Sequence, residues 1–499
     1  MLRKSLDEEK IPEILKLAYV TPIHKGGSKQ QPENYRPISL TSHVMKVFER
    51  VIKKGIMEHI IKINKTNEGQ HGFLPGRSTQ TQLLAHYNDI YEALMEGKRM
   101  DTVFLDFAKA FDKVDHEILL KKVRKHKISG KLGKWLREFL RDRKFRVVAN
   151  GCMSEEGNVK SGVPQGTVLA ALLFVIMISD IDEHIKWSIV RSFADDTRIN
   201  KKIKNEEDKI NMQDDLEVLY KWARDNKMEF NVKKFEQMAH GEIENISLEP
   251  YRSPSGEEIL LKTTARDLGI LATNDLLFRD HIEKIVTTSR IVMGMLFRTF
   301  STREKEPMMK LFNTYIRSRL EYCCVVWAPV QQGYINELEA IQKTFTSKIA
   351  GMDKLDYHER LKKLNLYSLE RRRDRYAIIY GWQQLEGIKY NIMGLKSSWI
   401  GTSRRIISRK IPGKTEGREI KQKNRTKIHN CPARRVERLF NCLPPRLRNR
   451  KEETTETFKR HLDQWLAEVP DLPRIGKYSR WVPADTNSVI SQAVTLLKK

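Results

Sequence analysis

Two rhythms of apolar and polar positions run along this chain. Short apolar runs bounded by turn residues read as strands. One is Thr102-Val-Phe-Leu, which ends on Asp106; another is Ser188-Ile-Val-Arg-Ser-Phe-Ala, which ends on Asp195-Asp196 and is followed by Thr197-Arg-Ile. The second pattern predicts two strands joined by a tight turn that carries both acids. Phe145–Ala149, a turn at Gly151 and Gly157–Lys160 predict a hairpin. Helical spacing places Val44, Val47, Phe48 and Val51 on one face, Trp135, Leu136, Phe139 and Leu140 on another, and Phe458, Leu462, Trp465 and Leu466 on a third within 451–469. The longest apolar run, Val168–Ile178, predicts a buried helix ending before Asp180. It is too short to cross a bilayer, which takes about 20 apolar residues. Residues 276–350 read as mostly helical. Beyond 350 the chain is helical at first, then loop-rich and basic around 397–431. No internal repeat appears.

The three acids acquire meaning jointly. An Asp-Asp pair alone is normally a solvated turn, and an acid after an apolar strand is commonplace. Here both occur in order, with the glycine-containing loop Ser161-Gly-Val-Pro-Gln-Gly166 between them. Nucleotidyl transfer needs such parts: two divalent cations, roughly 3.5–4 Å apart, clamp the attacking 3′-oxygen and the leaving pyrophosphate. Mg²⁺ takes one or two carboxylates plus phosphate and water oxygens. Because strand side chains alternate faces, Asp195 is expected to share the metals with Asp106, and Asp196 to play a secondary role.

These residues and others identify a resemblance. The chain resembles the reverse transcriptases of non-LTR retrotransposons, the LINE-like elements of the Jockey and CR1 kind, and looks like an N-terminally truncated member. The matching segments are Val20-Thr-Pro-Ile-His-Lys-Gly26, Asn34-Tyr-Arg-Pro-Ile-Ser-Leu40, His71-Gly-Phe-Leu-Pro-Gly-Arg-Ser78, Leu105-Asp-Phe-Ala-Lys-Ala-Phe-Asp112, Ser161–Gly166, Phe193-Ala-Asp-Asp196, Met228–Lys234 and Arg266-Asp-Leu-Gly269. Weaker matches are Leu320–Trp327, Glu370-Arg-Arg-Arg373 and Asn441-Cys-Leu-Pro444. The resemblance implies an α+β, right-hand polymerase fold. Residues 1–100 would form fingers, 101–275 the palm with interleaved fingers and palm helices, 276–350 the thumb and 351–499 a helical, basic C-terminal extension. It implies an RNA-directed DNA polymerase of a mobile element, extending a DNA primer on an RNA template with deoxynucleoside triphosphates and two Mg²⁺ ions, Mn²⁺ being the alternative. Asp106, Asp195 and Asp196 match the family's catalytic, metal-binding acids. Phe111 matches the steric gate that excludes a 2′-hydroxyl. Gln165 and Gly166 match a loop near the incoming nucleotide. Arg36, assisted by Lys25, matches the arginine that contacts the triphosphate, and Lys234 the proton donor to pyrophosphate. Leu268-Gly269 falls at the primer-grip turn. Ala170-Ala171 replaces the Gly-Pro of many relatives and predicts an extended following helix. The family implies an intracellular, nuclear and cytoplasmic protein with no membrane association.

Composition sharpens this reading. The chain has 499 residues, 91 Lys plus Arg against 64 acids and a net charge of +27. Such an excess favours polyanion partners, whose binding releases counterions. Basic clusters at Lys121–Lys125, Arg371–Arg373, Arg404-Arg405 and Arg434-Arg435 are candidate nucleic-acid contacts. Five cysteines without a Cys-x-x-Cys pair make a disulfide framework or zinc knuckle the weaker reading. An RNA-dependent RNA polymerase is disfavoured by Phe111 at the gate and by Ala194 before the acid pair. A catalytically inactive, nucleic-acid-binding remnant is the standing alternative.

Overall fold

The computed structural model describes residues 1–63, 67–243, 246, 248–408, 414–415, 418–419, 427–474 and 487–497. Helix α1 (Leu2–Asp7) leads into strands β1 (Leu17–His24) and β2 (Tyr35–Leu40), then helices α2 (His43–Lys62) and α3 (Thr79–Met95). Strand β3 (Arg99–Leu105) follows, then α4 (His116–Lys125), α5 (Gly130–Leu140), β4 (Lys144–Ala149), β5 (Cys152–Met153), β6 (Gly157–Asn158) and α6 (Ala170–Met177). The hairpin β7 (Ile189–Phe193) and β8 (Asp196–Ile203), helix α7 (Glu206–Asp225) and β9 (Glu236–His240) come next. Strands β10 (Leu260–Leu261), β11 (Thr264–Asp267) and β12 (Ile270–Thr273) precede the long helix α8 (Arg279–Thr299). The rest is largely helical. No helix among the described residues is long and apolar enough to cross a membrane.

Two five-stranded sheets organise the first half. The central one runs β10-β9-β3-β8-β7, with β3 antiparallel to both β8 and β9. Its middle strand is buried on both sides, and its side chains alternate as a strand's must. Val103 and Leu105 join the core formed with α4 to α7, whereas Met100 joins the core formed with α3 and α8. The other sheet runs β2-β1-β4-β5, with β6 beside β4. Its parallel β1–β4 pairing puts the strands of the expected 145–160 hairpin, β4 and β6, in one sheet with the chain's start.

Several expected elements form as the pattern predicts. Trp135, Leu136, Phe139 and Leu140 are buried on α5, and Phe458, Leu462, Trp465 and Leu466 on helix Thr455–Glu468. The buried apolar helix is α6, beginning at Ala170 itself. The stripe on α2 is different. Val44, Val47 and Val51 are exposed (46%, 54% and 57%), while Met45, Phe48, Ile52, Ile56 and Ile60 are buried. Both stripes have helical spacing. The valine stripe stops after two turns, at Lys54 and Glu58, whereas the other continues for four turns and buries larger side chains.

The arginine clusters also differ from the sequence reading. Arg371 and Arg373 are buried. Arg371 donates to the carbonyls of Leu466, Val469 and Pro470 at the end of helix Thr455–Glu468, and Arg372 pairs with Glu321. Arg404 pairs with Glu386, Arg435 with Asp374, and Lys122 with Asp180. A guanidinium has five donors and can satisfy several carbonyls at once, so these motifs tie helices together. One continuous core joins α3 and α8 to the helices beyond residue 350. Part of the loop-rich basic stretch at 397–431 is a hairpin, Lys396–Ile400 with Ser403–Ile407; the remainder lies mostly outside the described residues.

Candidate active site

The site lies where β3 and the β7–β8 hairpin end side by side. Leu105 pairs with Thr197, so Asp106 emerges next to the hairpin turn. Phe193 pairs with Asp196, leaving Ala194-Asp195 as a two-residue turn. Such turns need a positive φ at their first position, normally from glycine; Ala194 takes it, at φ +55°. A third segment closes over Asp106. Asn231 N–H donates to the Asp106 carbonyl (2.7 Å), and Ala108 N–H donates to the Glu229 carbonyl (2.7 Å). The short turn Val232–Lys234 then sets the Lys234 ammonium 2.7 Å from Asp106 Oδ2.

A cleft of about 1630 Å³ opens above these acids. Asp106, Asp195, Lys234, Phe111, Gln165, Arg36 and Lys25 all line it. Asp196 and Gly166 do not. Asp196 pairs with Phe193 on the strand and faces Arg198 and Asp267. Gly166, at φ +111°, serves a close approach of another kind: a Cβ there would stand 2.5 Å from the Ser39 carbonyl of β2. Ser39 N–H in turn donates to the Gln165 carbonyl (2.7 Å). The loop is thereby fastened to the strand that carries Arg36. Gln165 Nε2 donates to Asp112 Oδ1 (3.1 Å), which fixes its carboxamide.

Phe111 is held by a residue that sequence reasoning did not single out. Its ring stacks on buried Phe174 of α6 (centroids 4.4 Å apart, 18° between planes), with Phe73 edge-on at 6.4 Å. Helix α6 is itself positioned by buried Glu49 of α2, whose Oε2 accepts from Leu169 N–H (2.8 Å) at the helix start. A carboxylate there, together with Thr167 Oγ1, which accepts from Ala170 N–H (3.3 Å), completes the helix N-terminus. The hydrophobic run at 168–178 announced a buried helix; nothing local announced that it would back Phe111.

Burial and mutual repulsion raise two of the acids. Burial raises the Asp195 carboxyl, and the Asp106 charge raises it further, against Arg36 and Lys234. Asp196 is pushed up to about 6, first by desolvation and then by Asp195, against Arg198. Desolvation and a neighbouring like charge raise a carboxyl in this way. Among the described residues no three His, Cys, Asp or Glu groups converge as a closed cage. Two cleft-facing carboxylates fit Mg²⁺, which completes its octahedron with water and substrate phosphates rather than protein oxygens.

Residues 23–267 match the family model described as reverse transcriptase (RNA-dependent DNA polymerase). The chain is 29% identical over 351 residues to a probable RNA-directed DNA polymerase from transposon X-element of Drosophila melanogaster, covering 68% of this chain and 38% of that protein. It is 26% identical over 362 residues to the RNA-directed DNA polymerase from mobile element jockey of the same fly, covering 69% and 39%. The chain thus spans well under half the length of these curated relatives. Among solved structures, apo telomerase from Candida tropicalis matches at a TM-score of 0.42 and 10% identity, over 70% of this chain and 61% of that one. The matched segment contains both acid-bearing strands, the loop between them and every residue lining the cleft from Lys25 to Lys234, and over these residues the chain is similar to reverse transcriptases, the polymerases of mobile elements among them.

Proposed function

We propose that the cleft is the active site of an RNA-directed DNA polymerase that adds deoxynucleotides to a DNA primer on an RNA template. The observation that carries this reading is the convergence of Asp106 and Asp195 in one cleft with Arg36, Lys25, Lys234 and the Phe111 ring. Asp106 and Asp195 would hold the Mg²⁺ or Mn²⁺ ions, with Asp196 raising the local negative charge from behind. When bound, such ions activate the primer 3′-hydroxyl and neutralise the leaving pyrophosphate. Arg36 presents a planar fork suited to phosphate oxygens, and Lys25 adds charge at the same rim. Lys234, which rests on Asp106, would turn to the departing pyrophosphate and give it a proton. Phe111 forms a wall beside the sugar that a 2′-hydroxyl would strike. In this reading the sheet with β1, β2 and β4 acts as fingers, the central sheet as palm and 276–350 as thumb.

Primer extension on an RNA template, with Mg²⁺ and deoxynucleotides, tests the proposal directly. Asp195→Asn should abolish extension while leaving the melting temperature and RNA affinity near those of the parent. A folded parent chain that binds RNA but never extends a primer would refute the enzyme reading and leave a nucleic-acid-binding remnant.

A further inference from the structure

The Ala194-Asp195 turn is gripped from outside its own hairpin. Segment 69–72 lies along β7: Ser192 N–H donates to the Gly69 carbonyl (2.9 Å), and His71 N–H donates to the Ser192 carbonyl (2.8 Å). This makes a parallel bridge between Gln70 and Ser192. The Gln70 side chain, 2% exposed, reaches the turn itself. Its Oε1 accepts from Ala194 N–H (2.9 Å) and from Gly72 N–H (2.6 Å), and its Nε2 donates to the Ala194 carbonyl (3.4 Å). One carboxamide therefore holds both backbone polar groups of the residue that carries the unfavourable φ. The fit is close: a Cβ on Gly72 would collide with the Ala194 nitrogen, and one on Gly69 with the Val190 carbonyl.

The gripping loop is braced in turn. Arg77 Nη1 donates to the carbonyls of Asn67 (2.9 Å), Glu68 (3.0 Å) and Gln70. The Tyr390 ring, from the chain beyond residue 350, lies 4.7 Å from the Arg77 guanidinium. Its attraction for the cation adds to the packing.

We propose that Gln70 is a positioning residue that fixes the peptide before Asp195, with Arg77 and Tyr390 as an outer brace through which the C-terminal region stiffens the catalytic turn. The inference rests on the role assigned to Asp195 above. The orientation of the Ala194 peptide sets the direction in which Asp195 leaves the backbone. Mg²⁺ accepts only near-octahedral geometry, so a turn that rocks loses catalysis before it loses substrate binding.

Amide hydrogen exchange on the metal-free full chain tests this without relying on activity. The variants are Gln70→Leu, Tyr390→Ala, Tyr390→Phe and Gln342→Leu. Gln342 is a buried glutamine of the helix Gln332–Thr346, bonded to Tyr357 and Tyr367, and controls for general destabilisation. Gln70→Leu should accelerate exchange over 189–198 by about tenfold or more relative to 99–105, as expected of a local opening. Gln342→Leu should leave that ratio unchanged. In primer extension, Gln70→Leu should lower kcat by about 10–100-fold with the deoxynucleotide KM changed less than about threefold. Tyr390→Ala should show a smaller effect of the same kind, and Tyr390→Phe none. Unchanged exchange over 189–198 in Gln70→Leu, or the same change in Gln342→Leu, overturns the proposal. If Gln70→Leu does not fold, unchanged exchange over both 67–77 and 189–198 in Tyr390→Ala overturns it instead. A parent chain without polymerase activity would refute the function above, while the exchange ratios would still decide on the clamp.

Discussion

The Phe111–Phe174 stack gives a quantitative test of how the proposed gate would be held. Phe174 is fully buried, and its ring covers one broad face of Phe111. Phe174→Leu keeps an apolar side chain of similar bulk but removes the stack. Alanine is a poorer probe, because a Phe→Ala cavity costs about 3–5 kcal/mol and would blur function with unfolding. An aromatic pair contributes roughly 0.5–1.5 kcal/mol beyond its buried area. If that energy holds the Phe111 ring against a ribose 2′-hydroxyl, its loss lowers discrimination between deoxy- and ribonucleotides by about twofold to about twelvefold, at about 1.36 kcal/mol per decade. The assay is single-nucleotide incorporation on one template–primer, comparing kcat/KM for each matched nucleotide pair. Phe111→Val, which removes the wall itself, should reduce discrimination further. An unchanged ratio in Phe174→Leu beside a collapsed ratio in Phe111→Val would refute the backing role. A loss far above about twelvefold would refute it too, since the stack cannot supply that much.

Gly166→Ala should destabilise the chain by about 1–3 kcal/mol in denaturant unfolding, because the new Cβ meets the Ser39 carbonyl and φ stays positive; a neutral result would show that the loop is not fastened to β2. Arg371→Leu should lower the melting temperature strongly, as three carbonyls lose their donor. RNA affinity of the folded fraction should not change in that variant, whereas Arg36→Ala should flatten the salt dependence of binding by about 0.7–0.9 for each phosphate it no longer neutralises. For Asp196 the folded value of about 6 lies above the ordinary 3.8. The folded chain therefore holds more protons between those values, and metal-free stability should fall as pH rises through that window and stay lower above it. Asp196→Asn should flatten that dependence and raise the metal-free melting temperature near neutrality; a pH profile identical to the parent's would sink the assignment.

What the sequence revealed and what it hid divide along a physical line. The acids, the turn between β7 and β8, and helices α5 and α6 were legible because each depends on a local period or a local turn. Residue Phe111 could be named from the family resemblance. Its backing by Phe174 could not, because that contact arises only after α6 packs beneath the sheet. The α2 stripe misled because two faces of one helix share the same period, and only tertiary packing chooses between them. Gly166 was placed in a loop near the incoming nucleotide; its close approach to the Ser39 carbonyl of β2 could not be read from the sequence. Gln70 went unnoticed because its acceptor and donor reach Ala194, 124 positions away.

The buried arginines bear on how the positive charge should be read. Arg99 pairs with Asp101, Arg191 with Asp89, Arg198 with Asp267 and Arg404 with Glu386, all partly or wholly out of water. Arg371 and Arg373 are buried among the C-terminal helices. A planar, multiply donating cation suits such positions better than a compact, strongly hydrated ammonium, although buried Lys122 also pairs with Asp180. Arginine-rich motifs therefore report the joints of this fold, and runs such as Arg371–Arg373 overstate its nucleic-acid surface. On the proposed reading, the charges that would meet a polyanion are those left in water at the cleft, Lys25, Arg36 and Lys234 among them. Because exposed charges are screened by salt and buried pairs are not, raising ionic strength should weaken nucleic-acid binding well before it loosens the arginine-tied helices.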